Sequence, residues 1–449
     1  MKNAKTDFTA SERHLLKRAA IRLVPFLMFC YFVSFLDRIN IGFASFQMNQ
    51  QLHISPATFG LGGGLFFISY FICEVPSNLF LEKFGARSWL ARIMLVWGII
   101  ASLMAFVSGP KGFLTMRFLL GAAEAGFFPG VILYLTYWFP KAYRAQIISW
   151  FTVAIPLSGF LGSPVSASLL SMRHFFGIQS WQWLYLLEGI PAILLGICCL
   201  FVLPDKPDTA SWLSAEERVA YKGIMAKSGD KMPAAPVPFL TGLRHILDPQ
   251  VLLFALVLAG TTAVSSSYAI WTPRLIKAFL WSNAQTGWLN AVPFLLGAIA
   301  MVVFGATSDR SGERVWHSAA PLFMSALASV AIFAFTGFVP FYILINIVII
   351  GIYACKGPAW AAVTEWLPEE ARASGIAQVN ALSNLAGFGT VYAVGVIRQA
   401  TGSTSMSLMP LAALSAMAAF AVLYLGISRR RRPVDHANLE PLLSSKSLQ

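Results

Sequence analysis

The sequence predicts an all-α membrane protein: twelve transmembrane helices in two pseudo-symmetric six-helix bundles. Three observations carry this. Hydrophobic residues make up 57% of the 449 and charged residues only 12%, with a mean hydropathy of +0.66, which is more apolar surface than one soluble core could hide. The apolar residues come in runs of about 20, the length that crosses a bilayer. The chain also repeats itself. Trp138-Phe-Pro-Lys-Ala-Tyr-Arg144-Ala145 recurs as Trp366-Leu-Pro-Glu-Glu-Ala-Arg372-Ala373 at an offset of 228, and Asn78-Leu-Phe-Leu-Glu82-Lys83-Phe-Gly85-Ala-Arg87 matches Gly305-Ala-Thr-Ser-Asp309-Arg310-Ser-Gly312-Glu-Arg314 at an offset of 227. Two halves of like orientation are expected.

The spans fall near 22–47, 57–81, 88–108, 112–138, 145–170, 181–203, 250–277, 285–307, 315–337, 339–364, 372–396 and 406–427. This divides the chain into a first bundle at 1–203, a linker at 204–249, a second bundle at 250–428 and a tail at 429–449. The first span follows a charged, helix-compatible stretch from Ser11 to Arg22 and is too long for a cleavable signal. It carries Asp37 and Arg38. A charge near the bilayer centre costs from about 3 to above 10 kcal/mol, so such residues normally face a polar cavity. Tyr70 lies in the second span, and Glu74 and Glu188 sit near span ends, where capping or interhelical bonds are expected.

The fourth span holds Arg117 and Glu124. Their separation leaves them on one helix face about 10 Å apart. They serve either a cavity or a structural salt bridge. The linker, rich in Pro, Lys and Asp, reads as a solvated tether with one surface helix after Ser214-Ala-Glu-Glu217. No cation lies in the interior of the seventh span. In the tenth, Lys356 corresponds to Phe128 by the 228 offset, one turn beyond Glu124. It either supplies the positive charge of the second half or snorkels to the interface. Gly357-Pro358 beside it should open the helix, and Trp360 lies one turn on. Asn380 and Asn384 sit one turn apart in the eleventh span.

Orientation follows from the basic residues. Of the 33 Lys and Arg, 25 fall at the termini and alternate connections, including Arg429 to Arg432, and about five fall on the opposite side. The positive-inside rule makes the terminal side cytoplasmic, so the net charge of +13 is topology rather than a sign of nucleic acid. All five cysteines lie in apolar spans, which disfavours disulfides and zinc. No histidine lies well inside a span, so a transmembrane proton would ride on carboxylates. The absence of a Gly-x-x-x-x-Gly-Lys-Ser/Thr motif disfavours an ATP-driven pump, and no nucleophile-base set suggests an enzyme.

The loop pattern Gly-x-x-x-Asp-Arg-x-Gly-x-Arg, whole at 305–314 and degenerate at 78–87, resembles the signature of the major facilitator superfamily. Four further strings are Phe35-Leu-Asp37-Arg38-Ile-Asn40-Ile-Gly42, Glu74-Val-Pro-Ser-Asn-Leu, Arg117-Phe-Leu-Leu-Gly-Ala-Ala-Glu124-Ala-Gly-Phe-Phe-Pro-Gly130 and Trp181-Gln-Trp-Leu-Tyr-Leu-Leu-Glu188-Gly-Ile-Pro191. Together these resemble the anion:cation symporters, the tartrate, phthalate and hexonate permease branch in particular. The resemblance implies that Glu124 couples protons with help from Asp37. It also implies that Arg38, Arg117, Tyr70 and Asn380 contact an anionic substrate. Trp360, Asn384 and Lys356 complete the expected pocket, while Glu82, Lys83, Arg87, Asp309, Arg310 and Arg314 look like a cytoplasmic latch between the halves.

The expectation is a monomeric inner-membrane carrier with both termini cytoplasmic. It would import a small carboxylate with protons by alternating access, using no cofactor beyond the proton. Two to three cavity cations suit a dianion, such as phthalate or tartrate. The alternatives are an uncoupled facilitator or exchanger and a non-transporting substrate sensor.

Overall fold

In a computed structural model, the structure describes residues 8–172, 177–227, 248–367 and 372–431. All of its regular elements there are helices. They are α1 (Ala10–Gln51), α2 (Pro56–Phe84), α3 (Ala86–Leu103), α4 (Pro110–Glu124), α5 (Phe127–Trp138), α6 (Lys141–Thr152), α7 (Ala154–Leu169), α8 (Ser180–Val202) and α9 (Ala215–Lys227), followed by α10 (Pro249–Lys277), α11 (Asn283–Ser311), α12 (Val315–Ala331), α13 (Phe338–Ala354), α14 (Lys356–Trp366), α15 (Arg372–Thr401) and α16 (Thr404–Arg431).

Eleven stretches are long and apolar enough to cross a membrane, with α4–α5, α6–α7 and α13–α14 each forming one, and the shorter apolar α12 stands at the ninth predicted span. The short loops do not merge spans. Between α2 and α3 the chain turns at Gly85 alone, whose φ of +87° an L side chain rarely adopts and whose Cβ would meet Asp205 Oδ1 at 2.6 Å.

Two broken spans share one position in the repeat. The fourth ends its first helix at Glu124 and restarts at Phe127 after Gly126 in the left-handed region, and the tenth breaks at Cys355. Gly357-Pro358 was expected to open the tenth span. The break comes just before them, since proline is tolerated in the first turn of the new helix.

The linker's first part is not a free tether. Ser214 and Glu217 cap α9 reciprocally, Glu217 pairs with Arg18 at 2.6 Å, and the buried Tyr221 donates its hydroxyl to Trp138 O at 2.8 Å. Burial of Tyr221, with the Trp212 ring stacked on Trp138, gives this stretch an apolar reason to dock on the first bundle. The rest of the linker, 228–247, and the tail from 432 lie outside the described residues.

The halves meet closely at the face opposite the termini. Cβ atoms on Gly60 and Gly395 would come 2.9 Å from Val391 O and 2.5 Å from Pro56 O, so small residues let α2 and α15 touch backbone to backbone. Ala57 N donates to Gln399 Oε1 at 3.0 Å, and on the neighbouring α7–α11 seam Asn290 Nδ2 donates to Ser163 Oγ at 2.8 Å. At the terminal face, Arg314–Asp309 and Arg314–Glu365 pair within the second half, Arg18–Glu217 and Glu12–Lys227 join the first half to α9, and Lys222–Asp208 stays within the linker.

Candidate functional site

One stripe of α1 builds the centre of the first bundle. Ser34, Asp37 and Arg38 lie within a turn of one another and turn inward because α1 is packed on several sides. Glu124, 1% exposed at the end of α4, meets this stripe. Its Oε1 accepts bonds from Ser34 Oγ at 2.5 Å, Arg38 Nε at 2.9 Å and Arg38 Nη2 at 2.6 Å. The Arg38 side chain retains 19% exposure, and its guanidinium lies over Phe35, Phe66 and Tyr70 at 4.8, 5.1 and 5.4 Å. This one cation thus has a fixed carboxylate partner, an aromatic cage and an opening.

Asp37, 2% exposed, turns the other way. Trp97 Nε1 donates to its Oδ2 at 2.6 Å and Asn40 Nδ2 to its Oδ1 at 3.3 Å. Arg117, on the same helix as Glu124 as its spacing required, is 1% exposed and makes one bond, from Nε to Gly62 O at 3.3 Å. Its Nη1 has no partner, and the guanidinium rests on the Phe66 ring at 5.0 Å. A buried guanidinium with an idle donor can accept an anion without giving up a protein bond.

The second half contributes Lys356, half-buried at the start of α14, with Nζ over the Tyr353 ring at 4.6 Å and near enough to Arg38 for the two charges to interact. Tyr31, stacked on Phe128 and Phe151, lies within electrostatic reach of Arg38 and Glu124 in its own half and of Tyr353 in the other. Asn380 is engaged elsewhere, donating to Glu74 Oε1 across the α2–α15 seam at 2.8 Å. Glu74 therefore makes the interhelical bond expected of it. Asn384, partly buried, follows one turn later. Trp360 packs against the second bundle's core.

The expected latch residues lie at the terminal face. Arg314 pairs with Asp309 at 2.6 Å and Glu365 at 2.8 Å, both in its own half. Arg310 and Lys83 are exposed, Lys83 near the Phe84 ring, and Arg87 offers its backbone N–H to Asp205 at 2.9 Å. The Glu82 side chain lies outside the described residues. Sequence reasoning missed Ser34, Trp97, Asn40, Tyr31 and Glu365. Ser34 could have been found, since it lies one helical turn before Arg38. Nor is Glu188 a span-end residue in practice. It is 2% exposed, and Ser166 Oγ donates to its Oε1 at 2.7 Å.

Comparison with known proteins places this arrangement. The family model described as Major Facilitator Superfamily matches residues 27–390. A candidate tartrate transporter of Agrobacterium vitis is 43% identical over 96% of this chain and 98% of its own length. A candidate metabolite transport protein of Pseudomonas putida, NicT, is 37% identical over 94% of this chain and 96% of its own. Among solved structures, an inward-facing, unoccupied bacterial homologue of the human lysosomal transporter Spinster superposes with a TM-score of 0.69 at 16% identity, covering 94% of this chain and 96% of that one.

Proposed function

Since the chain belongs to the Major Facilitator Superfamily, whose members are transporters and not enzymes, we propose that it is a proton-coupled importer of a small organic dicarboxylate, with tartrate or phthalate the leading candidates. The observation that carries the reading is the convergence of Ser34 and both Arg38 nitrogens on one oxygen of Glu124, beside an open aromatic cage. A carboxylate substrate competes with Glu124 for the Arg38 fork. That exchange at the Arg38 fork is the link between substrate binding and the coupling proton. Arg117 and Lys356 supply the further positive charge that a dianion needs. The tartrate name of the 43% identical relative supports this substrate class.

The basic side of the chain, with both termini, is assigned to the cytoplasm of an inner membrane. The tight seam at the opposite face and the intra-half pairing of Arg314 then describe an inward-facing carrier, and the latch re-forms between halves when it faces outward. Nucleic acid has no part in this reading, and the working unit is the monomer.

The test is uptake of radiolabelled tartrate and phthalate by proteoliposomes. An inward proton gradient should drive accumulation of at least one of them, and a protonophore should abolish it while leaving counterflow. Uptake insensitive to the protonophore would leave an uncoupled facilitator. Binding without uptake would leave a sensor.

A further inference from the structure

Five Lys and Arg fall on the face opposite the termini, namely Lys111, Arg173, Arg274, Lys277 and Arg398, and none of the chain's 20 Asp and Glu lies in a connection there. These cations therefore have no carboxylate partner from the connections of their own face. Positive charge gathered without counter-charge at the mouth of a cleft draws anions from solution.

Two of the five stand at the seam between the halves. Arg274 lies in the last turn of α10, with its guanidinium over the Phe59 ring of α2 at 5.0 Å and over Trp271 of its own helix at 5.6 Å. Its Nη1 is buried without a partner, and the side chain makes no hydrogen bond or ion pair among the described residues. Arg398 lies one turn beyond Gly395, where α15 touches α2 backbone to backbone, and its Nη1 donates to Thr404 Oγ1 at 3.3 Å. The next residue, Gln399, takes the N–H of Ala57, two positions before Phe59. Two helices of the second half thus bring two cations to the same end of α2, within electrostatic reach of each other. Like charges held together with no acid between them repel, and an anion placed between them relieves that.

The ring that covers Arg274 belongs to the other half. Phe59 is fully buried and stands edge-on to Trp271 at 5.1 Å. Because α2 moves with the first bundle and α10 with the second, parting the halves on this face carries Phe59 away from Arg274. The guanidinium keeps Trp271 behind it and turns a bare fork of donors to the widening cleft, the geometry that takes a carboxylate through two parallel bonds.

We propose that Arg274 and Arg398 form an entry site for a dicarboxylate anion on the outer face, separate from the Arg38–Glu124 centre and covered by Phe59 while that face is closed. One carboxylate docks on the Arg274 fork and the other faces Arg398, before the anion moves inward to Arg38. This deepens the importer reading and rests on it for direction, but anion capture at Arg274 is measurable without transport.

The experiment reads the site with charged thiol reagents in membrane vesicles that present the outer face. Gln399→Cys supplies an exposed reporter beside Arg398, and the parent chain is the blank. With rates scaled to those of a free thiol, the anionic sulfonatoethyl methanethiosulfonate should label it about tenfold faster than the cationic trimethylammonioethyl reagent. Arg274→Gln should cut that ratio several-fold. Phthalate or tartrate should slow the anionic reagent more than sodium chloride of equal ionic strength does, and should lose this advantage in Arg274→Gln. Arg274→Lys keeps the charge without the fork, so the ratio should stay and the protection weaken. Arg398→Gln, which should also cut the ratio, serves if Arg274→Gln does not fold. No preference for the anionic reagent, a preference untouched by either glutamine variant, or protection by both dicarboxylates no better than by chloride overturns the entry site. Failure of the importer reading shows up separately, as absent or protonophore-insensitive uptake by wild type.

Discussion

Arg38 places both Nε and Nη2 on a single oxygen of Glu124, at 2.9 and 2.6 Å, rather than spreading its fork over the two carboxylate oxygens. The pair joins α1 to α4 inside the first bundle, and the guanidinium remains partly open to the central space. A bond of this geometry is a good candidate for exchange with a ligand carboxylate, which could take the same fork in its parallel, two-oxygen form.

The first prediction concerns that exchange. Glu124→Gln keeps the shape and a hydrogen-bond acceptor for Ser34 and Arg38 but cannot carry a proton. Proton-driven accumulation in proteoliposomes should disappear, while counterflow of unlabelled against labelled substrate persists at a rate within a few-fold of wild type. Uphill uptake of wild-type extent would show that the coupling proton is held elsewhere.

Arg38→Lys tests the fork. The charge is kept, but a lysine cannot offer two nitrogens in one plane. Losing one bond to a charged group costs about 1.5–3 kcal/mol, so substrate affinity should fall about tenfold or more by isothermal titration. Unchanged affinity would confine Arg38 to its pairing with Glu124.

Lys356 is expected to read the second carboxylate, because its ammonium lies over Tyr353 in the half facing Arg38. Lys356→Ala should weaken a dicarboxylate by about 1.5–3 kcal/mol, the range for hydrogen bonds to charged groups, and hardly affect the matching monocarboxylate. A paired titration of phthalate and benzoate in wild type and variant decides it. Equal losses for both ligands would remove Lys356 from recognition.

The seam makes a conformational prediction. A side chain on Gly395 has to displace Pro56 O and the Gly60 backbone, contacts of 2.5 and 3.0 Å for a Cβ alone. Overpacking of this kind costs about 1–3 kcal/mol, and it is borne only while that face is closed. Gly395→Val should therefore hold the carrier open there by about tenfold. An impermeant maleimide added from that side should label a reporter cysteine at Gln399 faster than in the parent. Identical labelling rates would mean that the seam does not control access.

The sequence by itself determined the solvent, the number and place of the spans and the internal repeat, because each depends on local composition or on comparison of the chain with itself. It also singled out Asp37, Arg38, Arg117, Glu124 and Lys356, since a charge in an apolar run is costly enough to stand out without any coordinates. Only the tertiary structure decided who bonds to whom. Ser34 and Trp97 look like ordinary span residues until packing aims one at Glu124 and the other at Asp37. Asn380 and Glu74 are 306 positions apart and become partners only when the halves close. Glu188 looked like a span-end residue because a span's register in sequence does not say which face is enclosed. Its burial depends on how α8 packs beside α1 and α7, and that is a property of the assembled bundle.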